Sequence, residues 1–233
     1  MLETAGPAFH WLYREYFRAD VFDIENVPEG RVLLISNHSG QLPFDGAMIG
    51  MSMLLDRDPP RATRGMVEHF VPTVPFVGTL FSRVGQVVGT PANARRLLDE
   101  ENCVLVFPEG SRGISKTFGR RYQLERFGTG FMRLALETGT PIVPVGVVGA
   151  EEQYISVADV RPVAKLLNAP SFPLLLNVLP LPSKYRIYFG EPLRFEGDHE
   201  DEDRVIRDKV RSVRRAIEAL LRRGLREREA IYW

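Results

Sequence analysis

Few of the residues that carry a strong functional signal by themselves occur in this sequence. The single cysteine, Cys103, excludes an internal disulfide framework and indicates a reducing compartment. Lysine plus arginine and aspartate plus glutamate number 30 each, so no net charge attracts nucleic acid. No stretch approaches the ~18 consecutive apolar residues of a spanning helix, and the N-terminus lacks the apolar core of a signal peptide. We therefore expect a cytoplasmic protein without a nucleic-acid partner, whose contact with a membrane is peripheral.

Several well-known catalytic motifs are also missing. The sequence contains no H-E-x-x-H pattern and no Cys/His cluster with zinc-ligand spacing, so we expect no metal ion. It also has no G-x-S-x-G turn to present a nucleophilic serine. The stretch 128–133 (GTGFMR) matches only half of a dinucleotide fingerprint and follows no obvious strand, which indicates an ordinary helix start. No bound cofactor is therefore expected, and the sequence does not indicate an oligomeric state.

The apolar segments predict a single α/β domain over residues 1–233. With 233 residues, 44% of them hydrophobic and 26% charged, the chain suits one large domain with a packed core. Strands are predicted at 32–35, 84–88, 103–107, 142–148 and 185–189. Helices are predicted at 9–22 (amphipathic), 44–55, 91–100, 128–138 and 201–224. Because strands alternate with helices, we expect a mixed or largely parallel central sheet flanked by helices.

A histidine and an aspartate flank the loop that follows the first predicted strand. His38 comes just after that strand, and Asp45 lies where the loop enters the next helix. An imidazole suits removal of a hydroxyl proton, because its ordinary pKa lies near neutrality. A neighbouring carboxylate can hold the second ring nitrogen and stabilise the imidazolium. The alternative is that these side chains only satisfy backbone groups at a turn and a helix cap.

A second polar loop, 107–112, follows the predicted strand 103–107. Glu109 supplies a hydrogen-bond acceptor, and Arg112 supplies a fork of donors that can hold a carboxylate, phosphate or hydroxyl-rich group. The alternative is a surface turn in which these two side chains pair with each other. A third segment, 141–149, reads as a core strand that would give an apolar wall for an acyl chain if it borders the site.

Taken in this order, three segments resemble the glycerolipid acyltransferase superfamily, which includes the lysophosphatidic acid acyltransferases. The segments are Asn37-His38…Asp45, Phe107-Pro108-Glu109-Gly110-Ser111-Arg112 and Ile142-Val143-Pro144-Val145. The resemblance covers roughly residues 30–190. It implies that His38 is the general base and Asp45 its partner. It also implies substrate binding by the second segment, at Glu109, Gly110, Ser111 and Arg112.

The sequence departs from the family pattern at two places. Six residues separate His38 from Asp45, where the family motif usually has four. The pattern Leu42-Pro43-Phe44-Asp45 looks more like the branch of monoacylglycerol- and diacylglycerol-acyltransferase-like proteins. The second departure is Thr90-Pro91, which stands where lysophosphatidic acid acyltransferases usually have an Asp-Arg pair. In those enzymes the arginine of the pair is thought to contact the acceptor phosphate. The candidate substitutes for that arginine in this chain are Arg83, Lys116, Arg120 and Arg121.

Three segments bear on a membrane surface. Four prolines within 163–182 forbid a continuous helix, so this leucine-rich segment lies in the interface, lines an acyl tunnel or crosses the core. The aromatic segment 9–22 has the composition of an interfacial helix, or of a helix that docks onto the domain. The basic stretch 204–228 either attracts anionic lipid or is a solvated face.

These features predict an O-acyltransferase that moves a fatty acyl group from a thioester to a hydroxyl of a glycerolipid or lysophospholipid. The expected partners are the acyl donor, either acyl-coenzyme A or an acyl-carrier protein as co-substrate, and a lipid acceptor at a peripheral membrane surface. One alternative is a hydrolase or thioesterase that uses His38 and Asp45 to activate water. Another is a lipid-binding or lipid-transfer protein without turnover, which the altered spacing favours.

Overall fold

The computed structural model describes residues 2–38, 44–67, 85–160, 162 and 173–232. Its helices are α1 (Leu2–Trp11), α2 (Phe44–Leu55), α3 (Pro91–Asp99), α4 (Ser111–Ile114), α5 (Gly130–Thr138) and α6 (Asp203–Glu227). Its strands are β1 (Asp20–Phe22), β2 (Val32–Ser36), β3 (Thr63–Val67), β4 (Val87–Val88), β5 (Cys103–Val106), β6 (Ile142–Val148), β7 (Ser156–Asp159), β8 (Pro173–Leu175) and β9 (Arg186–Phe189).

A seven-stranded sheet with the order β1-β9-β6-β2-β5-β3-β4 forms the centre of the fold. Strands β6, β2, β5, β3 and β4 are mutually parallel, whereas β9 runs antiparallel to β6 and parallel to β1. The carboxyl ends of β2, β5 and β6 therefore lie side by side at one edge of the sheet, with β2 in the middle. Because β9 and β1 run in the opposite direction, their first residues lie at this same edge. We call it the carboxyl edge.

The two faces of the sheet bury separate apolar clusters, as expected for helices packed on both sides. In β2 every residue is buried, and successive side chains point to opposite faces. Leu33 and Ile35 pack with α3, α5 and α6, whereas Val32 and Leu34 pack with α2 and the N-terminal segment. The predicted α/β class with a largely parallel sheet flanked by helices is thus confirmed.

Two glycines let helix α6 lie directly on the sheet. A Cβ atom at Gly146 of β6 would come within 2.6 Å of the Leu220 Cβ. A Cβ at Gly224 of α6 would come within 2.7 Å of the Tyr188 ring. Since Cβ contacts this short do not occur, larger residues at either position would push the helix away from the sheet. The predicted C-terminal helix is present, but it runs from Asp203 to Glu227 rather than over 201–224.

The N-terminal prediction was wrong in its extent. Instead of one helix over 9–22, α1 ends at Trp11, a π-helical turn follows over Leu12–Tyr16, and Asp20–Phe22 form an edge strand beside β9. Three residues are too few to show a strand pattern, so only pairing with β9 reveals β1. Tyr13 and Phe17 are fully buried in the core, so of the two interpretations of this segment the structure shows docking onto the domain.

The other predicted elements lie close to their expected positions. Strand 84–88 is observed only as Val87–Val88, and residue 84 lies outside the described residues. The sequence did not predict β1, β3 and the separate antiparallel pair of β7 with β8. Of the leucine-rich segment 163–182, residues 163–172 lie outside the described residues, whereas its later part is at the surface. Val178 is 92% exposed and Leu179 is 76% exposed.

Candidate active site

The side chains of His38 and Asp45 meet at the carboxyl edge. The His38 Nδ1 atom lies 2.7 Å from Asp45 Oδ2, although residues 39–43 between them lie outside the described part of the chain. Asp45 is fully buried at the start of α2, and its other oxygen accepts a hydrogen bond from the Gly46 N–H at 2.7 Å. One carboxylate oxygen therefore serves the helix start and the other serves the imidazole. The longer spacing in the sequence does not separate the pair.

Asn37 anchors the end of β2 immediately before His38. Its side-chain amide donates to the Val147 carbonyl at 3.1 Å and accepts from the Val147 N–H at 2.8 Å. Asn37 thus extends the pairing of β2 with β6 by one residue after the strand has ended. Because buried polar groups need partners, these two hydrogen bonds hold the backbone in one position at the point where the loop begins.

The loop after β5 holds His38 from its other side. Glu109 accepts the His38 backbone N–H at 2.9 Å, and the Phe107 ring stacks on the imidazole with centroids 4.2 Å apart. Gly113 approaches so closely that a Cβ there would lie 2.8 Å from the His38 Cβ. The imidazole is bonded through Nδ1, its other nitrogen has no hydrogen bond among the described residues, and its side chain is 15% exposed.

Glu109 belongs to a buried ionic cluster beneath the histidine. Its second oxygen accepts the Glu125 N–H at 2.7 Å and lies 3.4 Å from the Lys116 ammonium. The same ammonium donates to Glu151 at 3.1 Å, and all three charged side chains are almost completely buried. One lysine therefore contacts two carboxyl groups that come from separate loops of the carboxyl edge, one after β5 and the other after β6.

A second part of this cluster surrounds Tyr122. Its hydroxyl donates to Glu152 at 2.8 Å and accepts the Gly149 N–H at 2.9 Å, and its backbone N–H donates to Glu151 at 2.9 Å. Burial, reinforced by the Glu152 charge, raises the pKa of the Tyr122 phenol well above its ordinary value. Arg228 closes the cluster with an ion pair to Glu152 at 2.5 Å.

Burial raises the pKa of Glu151 to about 7, against the opposing effects of Lys116 and of the Tyr122 N–H. The carboxyl therefore binds a proton more tightly in the folded than in the unfolded chain. Its contribution to stability is complete below the ordinary pKa and is lost as the pH rises from about 4.5 to about 7. We expect this group to lower the free energy of unfolding by on the order of 3 kcal/mol across that window.

The check is urea unfolding of the wild type and of Glu151→Gln at several values between pH 5 and pH 8. The amide does not titrate, so the variant should show a flatter pH dependence whatever constant offset it introduces. Equal slopes for the two proteins would show that Glu151 holds its ordinary pKa.

The structure separates the residues of the second motif. Glu109 is buried and engaged as described, whereas Arg112 is exposed and donates to the Arg126 carbonyl at 3.0 Å. No Glu109–Arg112 ion pair occurs among the described residues, because Lys116 takes that place. Gly110, with φ of 56°, forms the turn before α4, which begins at Ser111. The binding roles of these four residues stay predictions.

Most candidate substitutes for the missing family arginine are engaged elsewhere. Lys116 is buried between Glu109 and Glu151, Arg120 pairs with Glu125, and Arg121 lies 3.7 Å from Glu152. Arg83 lies outside the described residues. At the position of the family pair, Thr90 caps α3 by accepting the Asn93 N–H at 3.1 Å, and Pro91 is the first helical residue.

Sequence reasoning missed Tyr122 and Glu151, and it named Lys116 only as a candidate partner of an acceptor phosphate. A signal was present, because Glu151 and Glu152 follow an entirely apolar strand that should be parallel to the strand before His38. Carboxylates placed just beyond such a strand are expected at the carboxyl edge. Nothing in the sequence shows that Lys116 reaches them.

Together, the sheet and the histidine–aspartate pair describe an α/β protein with an imidazole held by a buried carboxylate at the carboxyl edge. A family model described as Acyltransferase matches residues 18–148, more than half of the chain. The chain belongs to this acyltransferase family, within the glycerolipid acyltransferase superfamily. The resemblance predicted from the three motifs is thus confirmed.

Relatives of this chain occur in mycobacteria and in vertebrates. An uncharacterized protein of Mycobacterium tuberculosis is 35% identical over 240 residues, covering 97% of this chain and 67% of its own length. A human protein described as "DGAT1/2-independent enzyme synthesizing storage lipids" is 22% identical, covering 76% of this chain and 54% of its own length.

A solved structure shares the fold. The 1-acyl-sn-glycerophosphate (LPA) acyltransferase PlsC from Thermotoga maritima matches with a TM-score of 0.58 and 19% identity, covering 98% of this chain and 79% of that one. Within the described part of this chain, no helix is both long and apolar enough to cross a membrane.

Proposed function

We propose that this protein transfers a fatty acyl group from a thioester to a hydroxyl of a glycerolipid or lysophospholipid, with His38 as general base. The single observation that carries this proposal is the 2.7 Å contact between His38 and the buried Asp45 at the carboxyl edge of an acyltransferase-family chain. Ligand sites of parallel α/β sheets lie at this edge. The donor is acyl-coenzyme A or an acyl-carrier protein.

The proposed reaction is one direct displacement. Asp45 accepts a hydrogen bond from the Nδ1–H of His38, so that the Nε2 lone pair is the one that takes the proton of the lipid hydroxyl. The hydroxyl oxygen forms a bond to the thioester carbonyl carbon, and the carbon–sulfur bond then breaks. The departing thiolate takes the proton from the imidazolium, so the histidine returns to its neutral form. Transfer in this way needs no acyl-enzyme.

We also propose that the carboxyl edge faces a membrane surface. The exposed apolar residues Leu174, Leu176, Val178 and Leu179 follow β7, which continues from the Glu151 loop. The Tyr16 hydroxyl donates to the Pro180 carbonyl at 2.5 Å, and the half-exposed Trp11 ring lies 5.4 Å from the Tyr16 ring. Leu179 directly precedes Pro180, so this exposed apolar run ends against Tyr16 and close to Trp11. Contact with lipid would bring a lipid acceptor to the histidine without the acceptor leaving the membrane.

The test is thiol release from long-chain acyl-coenzyme A in the presence of vesicles that carry one acceptor at a time. The acceptors are lysophosphatidic acid, other lysophospholipids, monoacylglycerol and diacylglycerol, with plain vesicles as the control, and mass spectrometry identifies the products. We expect release only with an acceptor, accompanied by the acylated lipid, and we expect the protein to pellet with the vesicles.

The other outcomes identify the rival functions. Release without an acceptor would indicate a thioesterase. If acyl-carrier-protein donors are also inert while the protein still pellets with the vesicles, the protein is a lipid-binding protein, and the proposed transfer is wrong.

A further inference from the structure

Arginine side chains line a cavity of about 250 Å³ next to the second motif. Arg112, Arg126 and Arg207 contribute three guanidinium groups, and residues 127–129 and Asp203 complete the wall. Arg126 and Arg207 belong to no motif of the sequence. The three arginines come from α4, from the turn before α5 and from α6, so only the tertiary structure places them together.

The charges in this cavity are unbalanced. Among the described residues that line the cavity, Asp203 is the one carboxylate. Its two oxygens are bound by Arg207 at 2.6 Å and by Arg133 at 2.8 Å. The Arg126 side chain has no hydrogen bond or ion pair among the described residues, and Arg112 donates only to a backbone carbonyl there. The wall therefore presents two guanidinium groups that no carboxylate neutralises.

The start of α5 adds to the positive potential. Residues 127–129 lead directly into this nine-residue helix, and Thr129 makes no side-chain cap. The first backbone N–H groups of a helix have no partner within the helix, and together with the helix dipole they favour an anion. Arginine forks match the oxygen geometry of a phosphate group.

The cavity is joined to the loop that holds His38. Arg112 immediately precedes Gly113, the residue whose Cβ would lie 2.8 Å from the His38 Cβ. The Gly128 N–H in the cavity wall donates to the Pro108 carbonyl at 2.9 Å. The wall of the cavity is therefore in direct contact with the loop whose Glu109 accepts the His38 backbone N–H.

We propose that Arg126 and Arg207, together with Arg112, bind a phosphate group of a substrate. This inference rests on the proposed acyl transfer for its functional meaning, but the binding itself is separately measurable. It supplies a cation site in place of the family arginine, whose position holds Thr90 and Pro91. The same chemistry fits the phosphate monoester of a lysophosphatidic acid acceptor and the phosphates of a coenzyme A donor.

The variants are Arg126→Gln and Arg207→Gln, with Arg211→Gln as the matched control. Arg211 lies on the same helix as Arg207, is exposed, and pairs with Asp208 away from the cavity. Kinetics are compared for two substrate pairs that differ in phosphate: lysophosphatidic acid against monoacylglycerol, and acyl-coenzyme A against acyl-pantetheine. Thermal melts check that all variants are folded.

A charge-assisted bond to phosphate is lost in each cavity variant, so we expect KM for one phosphate-bearing substrate to rise on the order of 10- to 100-fold. KM for its phosphate-free counterpart should stay as in the control. A rise only for lysophosphatidic acid assigns the acceptor phosphate, and a rise only for acyl-coenzyme A assigns the donor. Equal KM values for all substrates in both cavity variants and the control would overturn the proposal.

Calorimetry separates this inference from the proposed function. Binding of free coenzyme A and of short-chain lysophosphatidic acid to the wild type and to Arg126→Gln needs no turnover. If transfer fails but one ligand binds in an Arg126-dependent way, the phosphate site stands and the proposed reaction does not. If neither ligand binds, or if binding is the same in both proteins, the phosphate site is wrong.

Discussion

Replacement of His38 by alanine is expected to lower kcat/KM for acyl transfer by about 10²–10⁴-fold, the usual contribution of a general base. The imidazole is the group at the carboxyl edge that is both held by a buried carboxylate and stacked on an aromatic ring, Phe107. Without it, no positioned base takes the hydroxyl proton during attack on the thioester. The measurement is acceptor-dependent thiol release, with thermal melts to show that the variant is folded.

The chain offers a matched control in His199. This histidine also lies beside a carboxylate, Asp198 at 3.2 Å, but both side chains are exposed to solvent. His199→Ala should therefore keep wild-type activity. If His38→Ala retains more than a third of the wild-type rate while folded, His38 is not the base, and the proposed mechanism fails.

Replacement of Lys116 by methionine should cost about 3–5 kcal/mol of stability, because it leaves buried carboxylates without their counter-ion. Among the described residues, Glu109 and Glu151 would keep only backbone donors, in a site where the lysine side chain itself is 3% exposed. The loss should be smaller at pH 5 than at pH 8, because burial already raises the pKa of Glu151 and low pH then supplies the missing proton. Urea unfolding at both pH values measures it.

A surface lysine provides the comparison. Lys184 pairs with Asp20 at 2.9 Å but is partly exposed, so Lys184→Met should cost under about 1 kcal/mol. Adding Glu151→Gln to Lys116→Met should recover part of the stability, since the second change removes one of the unpaired charges. A loss below about 1 kcal/mol for Lys116→Met would mean that the carboxylates find other partners or bind protons at no cost.

The histidine–aspartate pair shows which features of the site the local sequence predicts and which it does not. A buried strand that ends in Asn37-His38 and a helix that begins at Phe44-Asp45 are both visible as apolar patterns bounded by polar residues. That the two side chains meet was inferred only from the resemblance. The spacing between them is longer than in the family, so the local sequence did not establish the contact. The 2.7 Å contact comes from the packing of α2 against β2, which brings the two ends of the loop together.

The ionic cluster and the arginine cavity show where the sequence stops being informative. Lys116 and Glu151 are 35 positions apart, and Arg126 and Arg207 lie on different elements. A charged residue in a loop has the same local pattern whether it is solvated or buried. Strand order decides whether such a residue is solvated or buried here. Strands β6 and β5 flank β2 and bring the loops that follow them to both sides of His38.

By itself the sequence determined the α/β class, the positions of the central strands and the motifs that place this chain among the acyltransferases. Those features depend on apolar periodicity and on residues that lie close together along the chain, so a local stretch of sequence is enough to reveal them. The tertiary structure alone decided the edge strand β1, the buried partners of Glu109 and the arginines of the cavity. These depend on contacts between segments that the order of strands in the sheet brings together.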